Sequence, residues 1–166
     1  MASAGPSHPS GSGFLHCSDG KVRWGLYGAA GVVFVHVDGL GAITVQLQKR
    51  SAFAHEGGSW SCAGGAIEPG ENPLEAGLRE ASEEVGEIPQ PTTFHGEFVF
   101  APAADWKYVT SVVQVPEQFG NSINFETDEV DWFEPGQVDA LELHSGFAAA
   151  WPELRSIIEG IERSTK

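Results

Sequence analysis

One segment, residues 72–89, has two faces of opposite character, and it constrains the fold more than any other part of this chain. Asn72 can cap a helix, Pro73 suits the first helical position, and Glu75 stands where a capping box places an acid. Pro89 ends the pattern, because proline cannot continue a helix. The sequence therefore predicts an amphipathic helix that packs one side against a larger core.

The predicted helix separates apolar side chains from acidic ones. Steps of four and three residues place five apolar residues on one inward face: Leu74, Leu78, Ala81, Val85 and Ile88. The same spacing gathers four carboxylates: Glu80, Glu83, Glu84 and Glu87. Each like-charge pair costs an isolated helix about 0.2–0.5 kcal/mol, and only Arg79 stands nearby as a counter-charge. A hard divalent cation such as Mg²⁺ requires such oxygen ligands, although a solvated acidic face would carry the same charges.

The rest of the chain indicates an α/β fold around this helix. Strand patterns cover residues 27–37, 42–48, 94–100, 108–115 and 130–133, and residues 60–67 lead into the helix. Residues 146–163 have helical spacing of five apolar side chains: Phe147, Trp151, Leu154, Ile158 and Ile161. We expect a mixed sheet flanked by helices.

A chain of 166 residues is expected to form one domain. Residues 1–20 are assigned to an N-terminal tail, disordered at least to residue 13, because they begin with Ser, Gly, Pro and Ala; residues 21–166 form the domain. The tail lacks the basic and apolar regions of a secretory signal. Two cysteines, Cys17 and Cys62, are expected to be free thiols in a reducing cytoplasm.

The charge balance excludes some partners. With 9 basic and 23 acidic residues, the net charge is −14, and no basic stripe exists to bind a nucleic-acid backbone. No apolar stretch is long enough to span a membrane. We therefore expect neither nucleic acid nor membrane as a partner, and the sequence leaves a homodimer open.

The acidic helix belongs to a longer pattern that resembles the Nudix box, G-x5-E-x7-R-E-U-x-E-E-x-G-U, over residues 65–87. All seven fixed polar or glycine positions are present: Gly65, Glu71, Arg79, Glu80, Glu83, Glu84 and Gly86. Two positions depart from the pattern. Glu87 stands where an aliphatic residue is usual, with Ile88 next to it, and Ala63 replaces the proline of a frequent Pro-Gly-Gly.

The resemblance implies a Nudix fold, an α/β/α sandwich, and Mg²⁺-dependent hydrolysis of a diphosphate linkage, with Mn²⁺ as a substitute. The substrate class is a nucleoside diphosphate derivative: an oxidised nucleoside triphosphate, a nucleotide sugar, ADP-ribose or a dinucleoside polyphosphate. By resemblance, Glu83 and Glu84 bind metal, and Glu80 is a metal ligand, a general base or both. Arg79 orients a catalytic glutamate by a salt bridge, and Glu71 supports that network. Gly64 and Gly65 let the backbone approach closely, and a carbonyl there is a metal ligand.

Residues outside the box are expected to complete the site. Some family members carry a loop glutamate about six residues before a tryptophan placed like Trp132, which favours Glu126 as a catalytic acid, with Glu129 next and a solvated acidic loop as the alternative. Arg50 resembles a position that faces the substrate phosphates. Trp24 and Trp106 lie near strand starts and could stack a base, although for either residue alone packing in the core or at its rim is the favoured alternative.

Two other classes of protein compete with the enzyme. A Nudix module without catalytic activity could sense nucleotides or bind a ligand, but such modules usually lose box glutamates or gain a DNA-binding domain. A purely structural domain would not require Arg79, Glu80, Glu83 and Glu84 together. The intact box therefore favours the hydrolase.

Overall fold

A computed structural model describes residues 10–123 and 127–164 of the chain. These residues form nine strands and three helices. In chain order the elements are β1 Phe14–His16, β2 Val22–Trp24, β3 Ala29–Val37, β4 Ile43–Arg50, β5 Trp60–Ser61, β6 Ala63–Ala66, α1 Pro73–Val85, β7 Thr93–Ala103, β8 Trp106–Gln114, β9 Thr127–Phe133, α2 Pro135–Val138 and α3 Ser145–Ser164.

Seven strands form one mixed sheet in the order β5-β4-β3-β8-β7, in which β6 also pairs with β3 and β9 with β4. The pairing of β3 with β8 is parallel, with Val33 opposite Val112, and the other pairings are antiparallel. The buried strand β3 therefore lies at the centre and meets three neighbours.

The two long helices cover opposite faces of the sheet. Successive residues of β3 point to opposite sides, so alternate residues of this strand pack against different helices. Val33 and Val35 pack into the core beneath α3, together with Leu154. Val32 and Phe34 pack on the other side with α1. The predicted α/β/α sandwich with a mixed sheet flanked by helices is thus confirmed.

The five strand patterns are confirmed, each within three residues of the observed bounds. The five apolar residues expected on the last helix, Phe147, Trp151, Leu154, Ile158 and Ile161, are all buried. Residues 60–67, which lead into the first helix, contain the two short strands β5 and β6. The four-residue helix α2 was not predicted.

The N-terminal boundary differs from the expectation. Part of the stretch assigned to a tail forms a hairpin in which β1 and β2 pair, with Phe14 opposite Trp24. Ser18 binds the turn of this hairpin to the loop between β7 and β8. Its N–H and its Oγ both donate to the Asp105 carboxylate, at 3.0 and 3.1 Å. The pair Asp19-Gly20 in this turn is a turn signal that the sequence contained. Across the residues that the structure describes, no helix has the length and apolarity to cross a membrane.

Candidate active site

Helix α1 begins at the predicted capping box. The Asn72 side chain accepts from the Glu75 N–H at 2.8 Å, and the Glu75 carboxylate accepts from the Asn72 N–H at 2.9 Å. The helix ends after Val85 at Gly86, whose φ of 102° lies in the left-handed region that favours glycine. The box glycine thus has a structural role: it turns the chain away from the helix axis.

Helix α1 lies close to the sheet because its inner face is built of small residues. Ala76, Gly77 and Ala81 are buried there with Val85, whereas the predicted Leu74, Leu78 and Ile88 are partly buried around them. A side-chain carbon on Gly77 would lie 3.1 Å from the carbonyl oxygen of Gly31 in β3. Burial of a valine-sized side chain contributes about 1.5–3 kcal/mol, several times the repulsion of one glutamate pair, so packing holds the acidic face together.

Arg79 is the centre of a hydrogen-bonded network. Its Nε and Nη2 donate to the two oxygens of Glu71 at 2.8 and 3.0 Å, a bidentate pair. Its Nη1 donates to Glu80 at 3.0 Å and lies 3.5 Å from a Glu83 oxygen. Its Nη2 also donates to the carbonyl of Ala66 at 3.0 Å. The hydrogen bonds from Arg79 lower the pKa of Glu71, which keeps that carboxylate charged.

Glu80 packs against the backbone of Gly65. A side-chain carbon at position 65 would lie 2.4–2.7 Å from the Glu80 carboxyl atoms, so only glycine leaves room for this contact. Burial raises the pKa of Glu80, and the hydrogen bond from Arg79 opposes that rise. The result is a carboxylate that is more basic than usual and held in place.

Glu84, one turn further along α1, reaches the neighbouring glycine. Its Oε2 accepts from the Gly64 N–H at 3.3 Å, and its Oε1 accepts from Nε2 of Gln48 in β4 at 2.7 Å. Glu83, by contrast, has a side chain that is 57% exposed. The structure therefore brings Glu80 and Glu84 to the Gly64–Gly65 step of β6 and leaves Glu83 at the solvent side of the same helix.

The four predicted metal ligands, Glu80, Glu83, Glu84 and Gly65, lie on α1 and on the strand beside it. Within residues 10–123 and 127–164, no three His, Cys, Asp or Glu side chains are arranged as a ready-made metal site. This geometry differs from an all-protein cage. It fits the usual way of holding Mg²⁺, which takes one or two carboxylates and completes its shell with water and substrate phosphates.

A cleft of about 740 Å³ opens beside these residues. At one end it is lined by Gln48, Arg50, Gly64, Gly65 and Glu84. One wall is formed by β7 and β8, which contribute Thr110 and four aromatic side chains: Phe98, Phe100, Trp106 and Tyr108. Their period of two places them on one face of the hairpin, with Phe100 directly opposite Tyr108. Acidic and aromatic groups thus share one cavity.

The N-terminal hairpin closes the aromatic end of the cleft with Lys21, Arg23 and Trp24. The Trp106 indole N–H donates to the Trp24 carbonyl at 3.2 Å, and the Arg23 guanidinium lies 5.3 Å from the centre of the Trp106 ring. Asp19 forms a bidentate pair with Arg23, whose hydrogen bonds lower the pKa of Asp19 to about 2. The two tryptophans predicted to stack a base are therefore adjacent and both line the cleft.

Arg50, the predicted phosphate-binding residue, also lines the cleft. Its Nε donates to the carbonyl of His55 at 2.8 Å, which ties the side chain to the loop after β4. The same loop is bound to the start of α3, where the Glu56 carboxylate accepts from the N–H and the Oγ of Ser145 at 2.9 and 2.7 Å. His144 lies 3.2 Å from Glu56, and burial lowers the pKa of His144.

The two acids predicted to complete the site from a loop, Glu126 and Glu129, must be considered separately. Glu126 lies outside the described residues, so its role stays a prediction. Glu129 is exposed, pairs in register with Lys49, and does not line the cleft. Because neighbouring residues of β4 alternate in direction, Lys49 and Glu129 lie on the sheet face opposite to Gln48. The structure therefore does not bring Glu129 to the other candidate residues.

Several residues of the cleft could not be identified as site residues from any pattern in the sequence. Gln48 is one polar residue in an alternating strand, and its contact with Glu84 spans 36 residues of chain. Glu56 and His144 are 88 residues apart and meet because Trp60 of β5 forms backbone hydrogen bonds with the segment just before α3. The aromatic wall could have been found, since Phe98 and Phe100 on one strand and Trp106 and Tyr108 on the next alternate with other residues.

Comparison with known proteins adds a family match. The NUDIX domain model matches residues 26–154. A Mycobacterium tuberculosis protein named "Putative 8-oxo-dGTP diphosphatase 3" is 35% identical over 152 residues, which cover 88% of this chain and 70% of that protein. A Bifidobacterium longum protein, "Nucleoside triphosphate pyrophosphatase/Nudix hydrolase fusion protein", is 30% identical over 92% of this chain, which spans 32% of that protein.

Solved structures agree with this match. The crystal structure of a Nudix hydrolase from M. smegmatis, RenU, has a TM-score of 0.75 and 32% identity, and the match covers 91% of this chain and 97% of that one. A C. elegans Ap4A hydrolase has a TM-score of 0.63 at 18% identity, covering 80% and 98% of the two chains, and shows the shared fold alone.

Proposed function

We propose a substrate and a mechanism for this chain from one premise: the chain belongs to the Nudix family and is a Nudix-type diphosphate hydrolase. The proposed substrate is a nucleoside triphosphate with an oxidised base, such as 8-oxo-dGTP. The name of the 35% identical M. tuberculosis relative supports this choice. Nucleotide sugars, ADP-ribose and dinucleoside polyphosphates are the competing members of the same substrate class.

One observation carries the proposal. A single cleft joins the carboxylate of Glu84 and the Gly64–Gly65 step to an aromatic wall that includes Trp106. A diphosphate needs cationic and polar groups, and a base needs an apolar ring surface on which to stack. A nucleoside diphosphate derivative carries both groups, joined by one sugar, and so matches the two ends of the cleft.

The residues present fit a divalent cation. Glu80 and Glu84 offer carboxylate oxygens at the same glycine pair, and the donors are the hard oxygens that Mg²⁺ prefers. We propose that Glu80, Glu83, Glu84 and the Gly65 carbonyl hold Mg²⁺, with Mn²⁺ as a substitute. When bound, the ion neutralises phosphate charge and lowers the pKa of the attacking water.

The protein's own groups orient the reaction. Water forms a new P–O bond while the P–O bond of the anhydride breaks, so that 8-oxo-dGTP yields a nucleoside monophosphate and pyrophosphate. The Glu80 carboxylate accepts the proton of the attacking water, and its raised pKa suits that role. Arg79 positions Glu80 and is itself fixed by Glu71. Arg50 faces the phosphates, and Glu126 is proposed as a further catalytic acid.

The aromatic end is proposed to bind the base on Trp24 and Trp106, which both line the cleft. Stacking of a base on an aromatic side chain contributes about 1–3 kcal/mol. The cytoplasmic location expected from the sequence stays a prediction beside these, and the sequence leaves a homodimer open.

The proposal is tested with a substrate panel. The wild-type protein is incubated with 8-oxo-dGTP, dGTP, ADP-ribose, a nucleotide sugar and a dinucleoside polyphosphate, each with Mg²⁺, with Mn²⁺ and with excess chelator. Chromatography and phosphorus NMR identify the products. We expect kcat/KM to be highest for 8-oxo-dGTP, with a monophosphate and pyrophosphate as products and no turnover in chelator.

Each contrary outcome has a definite meaning. A higher kcat/KM for ADP-ribose or for a nucleotide sugar would refute the proposed substrate and keep the hydrolase. Tight binding of a nucleotide without turnover of any substrate would identify a silent binding module. Equal turnover in chelator would refute the metal dependence.

A further inference from the structure

Gln48 is a buried polar residue of β4 that faces helix α1. Only 8% of its surface is exposed. In the sheet it stands opposite Val130 of β9 and Ser61 of β5, so neighbours on both sides hold its backbone. It also lines the cleft beside Glu84. A carboxamide in this place must satisfy its donor and its acceptor, or lose stability for each group left unpaired.

The donor of Gln48 is directed at Glu84. Its Nε2 donates to Glu84 Oε1 at 2.7 Å, while the Gly64 N–H donates to Glu84 Oε2 at 3.3 Å. Two different strands thus hold the two oxygens of one carboxylate. The opposite orientation of the amide would place its oxygen against the carboxylate, with two acceptors facing each other and no proton between them.

The acceptor of Gln48 has no such partner. Among the residues that the structure describes, none donates a hydrogen bond to Gln48 Oε1, and the atom is shielded from solvent. A buried acceptor without a donor lowers the stability of the fold. An apolar side chain of the same length would avoid that cost but would lose the hydrogen bond to Glu84, so this bond is what a glutamine provides here.

We propose that Gln48 is a positioning residue for the metal site: it holds the Glu84 carboxylate in the orientation that binds the cation, at some expense of stability. This inference rests on the proposed function, because Glu84 is a metal ligand only there. A ligand held in advance loses less freedom when the ion binds, and removal of an outer hydrogen-bond partner typically weakens a metal site about 10- to 100-fold.

The chain offers a matched control two residues away. Gln46 lies on the same strand and the same sheet face and is 4% exposed. Its Nε2 donates at the same distance, 2.7 Å, but to the carbonyl of Phe119, and it does not line the cleft. Gln46→Met therefore removes an equally buried and equally short hydrogen bond without touching a carboxylate of the site.

The test measures Mn²⁺ affinity in nucleotide-free protein by electron paramagnetic resonance, for the wild type, Gln48→Met, Gln46→Met and Glu84→Gln. We expect Gln48→Met to weaken Mn²⁺ binding about tenfold with an unchanged or higher thermal midpoint. Gln46→Met should lower the thermal midpoint and leave the affinity within about twofold of the wild type. Gln48→Asn, whose shorter side chain cannot reach Glu84, should behave as Gln48→Met does and serves if the Met variant fails to fold.

A second readout separates positioning from direct catalysis. In Gln48→Met the Mg²⁺ concentration for half-maximal turnover should rise about tenfold, and kcat at saturating Mg²⁺ should return close to the wild-type value, because Glu84 itself remains. Glu84→Gln should not recover at any Mg²⁺ concentration.

The outcomes distinguish this inference from the proposed function. If Glu84→Gln weakens Mn²⁺ binding and Gln48→Met does not, Gln48 has no positioning role and the metal site stands. Equal weakening in Gln48→Met and Gln46→Met would assign the effect to general damage of the sheet and overturn the inference. If Glu84→Gln binds Mn²⁺ as the wild type does, Glu84 is not a ligand, and both this inference and the proposed metal site fail.

Discussion

The Arg79 guanidinium binds the Glu71 carboxylate through two hydrogen bonds of 2.8 and 3.0 Å, and so joins the middle of α1 to the loop before the helix. The third donor group of the guanidinium, Nη1, remains for Glu80, at 3.0 Å. Arg79 therefore holds Glu80, the proposed base, in a fixed place relative to the loop that contains Glu71. The two interactions need a planar fork, which lysine lacks.

Arg79→Lys should accordingly lower kcat at least about tenfold, because one ammonium group cannot bind Glu71 bidentately and also hold Glu80. The pair is partly exposed, so the thermal midpoint should change little. Steady-state kinetics and calorimetry check both parts. A lysine variant with wild-type kcat would mean that charge alone suffices at this position.

The neighbouring glycines of β6 should respond differently to alanine. At Gly65 the new carbon would meet the end of the Glu80 side chain, which can move aside. We expect Gly65→Ala to retain most of its thermal stability and to lose at least about tenfold in kcat, which corresponds to roughly 1.4 kcal/mol in the barrier.

At Gly64 the new carbon would lie 2.5 Å from the Tyr108 hydroxyl and 2.6 Å from the carbonyl of Ala30, which belongs to the rigid backbone of β3. Gly64→Ala should therefore lower the thermal midpoint clearly. Gly136→Ala, with open space around the new carbon, is the control. Equal stability of the Gly64 and Gly65 variants would contradict this separation of roles.

The aromatic end of the cleft predicts an effect on binding. Trp24→Ala and Trp106→Ala should each raise the KM for the nucleoside substrate about tenfold while kcat changes little, because stacking acts on the bound substrate as a whole. Phe94→Ala, which removes an aromatic residue of β7 that is 49% exposed and outside the cleft, should leave the KM unchanged. An unchanged KM in both tryptophan variants would assign Trp24 and Trp106 to packing of the hairpin.

Acid should weaken the loop that follows β4. Burial lowers the pKa of His144 below the usual 6.5, and hydrogen bonds from Ser145 lower the pKa of Glu56 below 4.5. Below each ordinary pKa, the unfolded chain binds more protons than the folded one, so the free energy of unfolding falls as the pH falls. Burial, together with the nearby Arg50 and His55, lowers the pKa of His144, and this outweighs the opposing effect of the Glu56 carboxylate.

The thermal midpoint should therefore decrease between pH 7 and pH 5, and His144→Gln should flatten that decrease. His16→Gln, a substitution of an exposed histidine of β1, is the comparison. If the two variants follow the wild-type curve equally, His144 does not control the acid response.

Local patterns explain how much of this molecule could be predicted. The capping box at Asn72, the helical spacing up to Val85 and the residues of the acidic face are set by neighbours within one or two turns, so the sequence alone revealed α1 and its box. The positions of the five predicted strands along the chain and the last helix, α3, followed from equally local periods.

Long-range contacts explain what was missed. One partner of Glu84 is Gln48, from a strand 36 residues earlier, and no local pattern indicates such a pair. The hairpin that supplies Arg23 was hidden in a stretch rich in small polar residues, although Asp19-Gly20 marked its turn. Glu129 was considered because it lies a few residues before Trp132 in the sequence. Its register opposite Lys49, however, directs it to the other face of the sheet.

The central claim is that the carboxylates of α1 hold the cation on which hydrolysis depends. The most direct measurement is the kcat of Glu84→Gln with 8-oxo-dGTP across a Mg²⁺ titration, beside Glu87→Gln, which removes the same charge from an exposed residue just past the helix. The account predicts a loss of at least about a hundredfold, roughly 2.7 kcal/mol, in the first variant at every Mg²⁺ concentration and wild-type turnover in the second. Equal kcat values in the two variants would contradict it.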